Sequence, residues 1–155
     1  MIDGATISSN IASFVSGYIL DQMIDGVWDK ITIADYPNAN EYIEINLERI
    51  KEIQTIWMSQ NRGSLFPTNN PQVKIYIGNV PATNANYKTS NSLCYTGGTE
   101  GLAVCATSLT GQYLIIELLT AGTDRLTFGD IYAWNKNSLA HTVDTTTATL
   151  TDIVV

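Results

Sequence analysis

The chain is 155 residues long, 45% hydrophobic and 15% charged, with eight basic against fifteen acidic side chains and a net charge of -7. That is one domain's worth of protein, able to bury about two-thirds of its unfolded surface, and the composition excludes disorder and coiled coil. The acidic balance and the singly scattered basic residues exclude a nucleic-acid binder, and no apolar run approaches the ~20 residues of a transmembrane segment.

The residues Met1 to Thr6 lack the basic region of a signal peptide, so Met1 reads as a start placed before a mature or excised segment. Between Ser9 and Met23 the apolar residues Ile11, Phe14, Val15, Tyr18, Ile19 and Met23 fall near a 3.6 spacing. That pattern predicts a helix or, equally, a loop with a short strand. Tyr42 to Leu47 alternates, with Ile43, Ile45 and Leu47 on one face, and predicts a half-buried strand. Leu47 to Ile53 has helical propensity but is too short for a helix between strands, so a turn or hairpin connection is expected there.

A second strand is expected over Ile53–Ser59, and a third over Val73–Gly78, ending at the turn signal Gly78-Asn79-Val80-Pro81. Gly111–Leu119 is apolar nearly throughout and predicts a central strand covered on both faces. Leu126–Trp134 closes the series, and Trp57 and Trp134, inside predicted strands, are expected in the core. Short strands joined by loops of Gly, Asn, Pro and Thr specify an all-β fold, an antiparallel β-sandwich or jelly roll.

Cys94 and Cys105 are spaced neither as a CxxC pair nor as half of a zinc site. They read as a disulfide closing a loop dense in Gly and Thr, or as two inert thiols, and the bond would imply an oxidising compartment. The sandwich is expected over residues 1–135. Residues 136–155 form a Thr-rich tail with period-2 alternation, read as an extra strand, a linker or a strand exchanged with a neighbouring molecule.

The order of landmarks Met23-Ile24-Asp25-Gly26, Glu44-Ile45-Asn46-Leu47, Gln60-Asn61-Arg62-Gly63, Val73 to Gly78, Cys94, Cys105, Gly111 to Ile116 and Leu126 to Tyr132 resembles the discoidin or coagulation-factor C-type domains. These are galactose-binding-domain-like jelly rolls, and within them the chain is most similar to the F-type lectin (fucolectin) branch. The resemblance implies a calcium ion held by Asp25 of the Asp-Gly turn and Asp130 of the last strand. It also implies a ligand surface on loops at one end of the jelly roll: Asn61 and Arg62, with the loop aromatics Trp28, Tyr36 and Phe66. The fucose motif itself is altered, with Ser64 in place of its Asp, Asn69 in place of its second base and Asp35 to Pro37 in place of its His.

The expected function is an extracellular or cell-surface, non-enzymatic carbohydrate-binding or adhesion module with a glycan or glycoprotein partner. The alternative is a structural assembly domain that has lost sugar binding and self-associates through the tail. With His141 the only histidine and no GxSxG, HExxH or P-loop, no nucleophile and base can be paired, so no enzyme is expected.

Overall fold

Val, Ile, Thr and aromatic residues dominate the segments that pair, the residue types that pack well on a pleated surface. The computed structural model of the chain describes residues 4–17, 19–26, 32–34, 37–58, 72–98, 101–119 and 126–135. Its strands are β1 (Thr6–Ser9), β2 (Thr32–Ala34), β3 (Tyr42–Met58), β4 (Gln72–Gly78), β5 (Ser92–Gly98), β6 (Gly101–Leu118), β7 (Leu126–Phe128) and β8 (Ile131–Trp134). All pairings are antiparallel. The main sheet runs β1-β3-β6-β4-β5, β8 joins β3 along the edge that β1 also uses, and β2 pairs with β7. The fold is an antiparallel β-sandwich of the jelly-roll kind.

The stretch Leu47–Ile53 does not reverse the chain as expected; it is the middle of one 17-residue strand. Pairing of β3 with β6 shifts twice. Residues 47–50 of β3 face only Gln112 between the pairs Asn46↔Tyr113 and Lys51↔Gly111, and residues 105–108 of β6 face only Gln54 between Ile53↔Leu109 and Thr55↔Val104. Each strand therefore makes one excursion of three extra residues, and the two cancel, so the register after the second equals the register before the first. Strands bend where such bulges occur.

The bend is large. Row by row, Tyr42 aligns with Glu117, Lys74 and Thr96, so Gly98 lies at the Tyr42 end of the sheet, while Gly101 pairs with Met58 at the opposite end of β3. Only residues 99 and 100 separate the two glycines, so their Cα atoms are no more than about 11 Å apart. The second half of β3 and the first half of β6 must fold over the rest as a second layer, and β8 extends that layer.

Side chains from both layers meet in one cluster. It includes Ile43, Ile45 and Leu47 from the first half of β3, Ile53, Ile56 and Met58 from its second half, Val73, Ile75 and Ile77 from β4, and Leu114, Ile116 and Leu118 from β6. The Cys94–Cys105 disulfide joins β5 of the first layer to the excursion in β6 of the second. Gly111–Leu118 is covered on both faces, as its sequence predicts. Ile115 packs with Tyr76, Ala82 and Tyr87 beneath the segment that carries the short helix α1 (Tyr87–Ser90). Two carboxylates fasten that segment: Glu44 accepts a hydrogen bond from the Ala82 amide, and Glu117 pairs with Lys88. Burial first, then the charge of Glu117, holds the Tyr87 hydroxyl far above its ordinary pKa of 10.0.

Of the expected helix over Ser9–Met23 only a 3-10 turn, Leu20–Met23, is present, with β1 ending at Ser9 and Phe14 bridging Ala34; the loop-with-strand reading is the one realised. β6 begins ten residues before the predicted strand, and β5, which carries Cys94, was not expected. The proposed tail, residues 136–155, lies outside the described residues.

At the bend a Cβ on Gly111 would sit 2.5–2.6 Å from backbone atoms of Gly78, an approach that only glycine permits. Gly111→Ala must push two backbones apart and should lower stability by about 1–3 kcal/mol, read as a lower denaturant midpoint at unchanged slope.

Candidate functional site

The corner between β7 and β8 collects the polar chemistry named in the sequence. Gly129 and Asp130 interrupt pairing there, and the Asp130 side chain is drawn inward to 1% exposure. A carboxylate so buried requires donors, and the Tyr132 hydroxyl supplies one, donating to Oδ2 at 3.4 Å. Asp25 stands in the exposed turn after Leu20–Met23, where the fully buried Met23 pins the turn to the core and Gly26 takes a φ of 75°. Burial, then Asp130 through charge and hydrogen bond, then the charge of Asp25, raise the Tyr132 pKa above 10.0. Both carboxylates therefore act on one phenol.

The same corner receives the ends of the neighbouring strands. Met58, after which residues 59–71 follow, pairs with Ile131, and Thr32, which residues 27–31 precede, pairs with Phe128. The Gln22 Oε1, in the turn just before Asp25, is buried without a hydrogen-bond partner. Carboxylate and amide oxygens of this kind are what a hard cation takes. Among the described residues no three of His, Cys, Asp and Glu cluster together.

No family model and no curated protein matches the chain. Solved structures match it in fold. The family 32 carbohydrate-binding module of NanJ from C. perfringens, in complex with galactose, superposes with a TM-score of 0.66 at 11% identity, over 84% of this chain and 93% of its own. The family 32 module of AlyQ, in complex with 4,5-unsaturated mannuronic acid, gives 0.62 at 15% identity, over 84% of this chain and 94% of its own. A fucolectin from striped bass (Morone saxatilis) serum gives 0.66 at 17% identity, over 83% of this chain and 46% of that one.

The chain has the galactose-binding-domain-like fold. On this fold Asp130 is buried and hydrogen-bonded to Tyr132 at the β7–β8 corner, and the charge of Asp25 reaches the same phenol. Asn61, Arg62 and Phe66, with Trp28 and Tyr36, lie outside the described residues; the strand ends that flank residues 27–31 and open residues 59–71 are at that corner. Trp57 and Trp134 are not core residues. The alternation turns Ile56 and Met58 inward and Trp57 outward, 38% exposed and ring to ring with Tyr132 at 5.5 Å, and the half-buried Trp134 shares that face opposite Thr55. Sequence reasoning missed Tyr132 and Gln22. The signal for Tyr132 was its place two residues after Asp130, on a strand that alternates. Gln22 carried none.

Because the folded-state pKa of Tyr132 exceeds its unfolded value, the stability it contributes is fully present below pH 10.0 and is lost as pH rises through the folded value. Asp130→Asn removes the carboxylate with the larger effect on the phenol. In an alkaline titration followed by tyrosinate absorbance, that variant should ionise Tyr132 at lower pH than the native protein does.

Proposed function

We propose that this chain is a lectin-like, non-enzymatic carbohydrate-binding or adhesion module that acts on a glycan or glycoprotein outside the cell. The observation that carries the reading is the meeting at the β7–β8 corner of the strand end that residues 27–31 precede in sequence and the strand end that residues 59–71 follow, on a fold whose solved neighbours include modules in complex with galactose and with an unsaturated mannuronic acid. Arg62 presents a planar fork of donors to vicinal ring hydroxyls. Asn61 adds an amide, while Trp28, Tyr36 and Phe66 offer apolar faces to sugar C–H patches. The disulfide between Cys94 and Cys105 supports an oxidising, extracellular or cell-surface setting.

A glycan array probed with the full chain should give binding that Arg62→Ala lowers by about tenfold, the effect of losing a bidentate charged contact. An array with no bound sugar would remove this reading in favour of the second one. In that second reading the chain is a structural assembly domain, built on the same jelly roll and self-associating through residues 136–155. The altered fucose motif, with Ser64 and Asn69 at its positions, is what favours it.

Calcium belongs to the same proposal. Asp25 and Asp130 are the residues that would hold it, with Gln22 Oε1 as an added neutral donor, and the ion would neutralise the carboxylate buried at the corner. An ion bound only to the folded chain raises the melting temperature with concentration. The native protein should show that rise on titration with calcium chloride, reversed by chelator, and Asp25→Asn and Asp130→Asn should not.

A further inference from the structure

The outer face of the second layer presents an ordered apolar surface. Leu102, Trp57 and Tyr132 form one cross-strand row, and Val104, Thr55 and Trp134 the next, read across β6, β3 and β8. Core residues alternate with them: Ala103, Ile56 and Ile131 are buried, while Leu102 is 55%, Val104 50% and Trp57 38% exposed. Large apolar side chains standing in adjacent rows on one sheet face mark an interaction site more often than scattered exposed residues do. The rings are held in place, since Tyr132 contacts Trp57 through its ring and Asp130 through its hydroxyl. A platform fixed in this way loses little freedom when a ligand lies on it.

Size and charge select the occupant. The six side chains are few beside the roughly 20–30 residues that each partner contributes to a stable protein–protein interface. None of the six residues carries a formal charge, while the chain as a whole carries -7, so a polyanion or a second copy meets repulsion and a neutral ligand does not. One hydroxyl and one amide lie just past the end of β8, where Ser108 donates to Asn135 Oδ1 at 3.4 Å. A small, flat, neutral, aromatic face with polar flanks suits a ligand that has apolar C–H faces and hydroxyl edges.

We infer that this face is a second carbohydrate-binding surface, separate from the loops at the β7–β8 corner, on which the sugar rings of a neutral polysaccharide stack with Trp57 as anchor. It shares with the proposed function the class of ligand and Tyr132, whose hydroxyl is at that corner and whose ring is on this face.

The test is depletion of the full chain from solution by insoluble cellulose, chitin and mannan. At least one polysaccharide should retain the native protein. Trp57→Ala should lower that retention by about tenfold or more, in line with truncation of a central aromatic anchor. Trp57→Phe, which keeps a ring face, should restore most of it, and Arg62→Ala should leave it unchanged while weakening array binding. Leu102→Gln, at an exposed position, serves as the second variant if Trp57→Ala does not fold, and should weaken retention several-fold. Retention by none of the three polymers, or equal retention of the native protein and of the folded variants, overturns the inference and leaves the corner site untouched. Two other results also overturn it. One is a dimer in light scattering that Trp57→Ala disperses, which assigns the face to a second copy. The other is an acrylamide quenching difference between native protein and Trp57→Phe so small that Trp57 must be covered by the chain itself.

Discussion

Two long strands that serve both layers are the constraint on which the rest of this molecule depends. A strand of 17 or 18 residues drawn straight would span more than 50 Å and could not close a sandwich. Both strands bend, and they do so by excursions of equal length on opposite partners, so pairing resumes in its original register. Asn46 holds the first excursion: its Oδ1 accepts the Glu48 amide at 2.9 Å and the Gln112 side-chain amide at 3.1 Å. Glu48 itself takes a φ of 63°, a conformation uncommon for a residue with a Cβ. The disulfide ends in the second excursion at Cys105, so the covalent tie and the bend coincide. A defect at the bend would therefore misplace β8, and with it Asp130, Tyr132 and the outer aromatic face.

How much of this was legible in the sequence depended on whether local pattern or long-range pairing decided the outcome. The alternations of Ile43-Ile45-Leu47 and Val73-Ile75-Ile77, and the two-sided apolar run at Leu114–Leu118, are local and were read as strands in the right places. The stretch Leu47–Ile53 reads as a connection between strands because it has helical propensity yet is too short for a helix, and Glu48, Arg49 and Ile50 do break the alternation there. A break in alternation is common to turns and bulges; only the partner strand shows that the chain continues in the same direction. Cys94 and Cys105 were read together, yet their strands were not, because Gly and Thr density resembles a loop until both segments find partners.

The site divides in the same way. Asp25 and Asp130 are 105 residues apart, and nothing local joins them; the resemblance to discoidin-like domains did. The resemblance offers Asp130 as an ion ligand on the last strand; the structure places it just before β8 as a buried carboxylate. Trp57 was misjudged for a reason of period. With Ile56 and Met58 on one side and Thr55 and Trp57 on the other, both faces of that stretch hold apolar side chains, and the rule that tryptophan is interior favoured the wrong one.

β6 gives the contrast that explains the outer face. Its two halves are similarly rich in apolar residues, and both belong to the same strand. The second half is covered on both sides, since the segment carrying α1 folds over Ile115 and is fastened by Glu44 and Glu117. Across the first half, Leu102 and Val104 stay exposed beside Trp57, with the disulfide and core beneath. A sheet face in contact with water ordinarily alternates to polar residues, as the half-buried Asn46 does on β3 between the buried Ile45 and Leu47. Trp57, Leu102 and Val104 keep apolar side chains outward where that alternation would place polar ones. Neither strand pairing nor the core requires them, and they are the side chains a ligand resting on this face would touch.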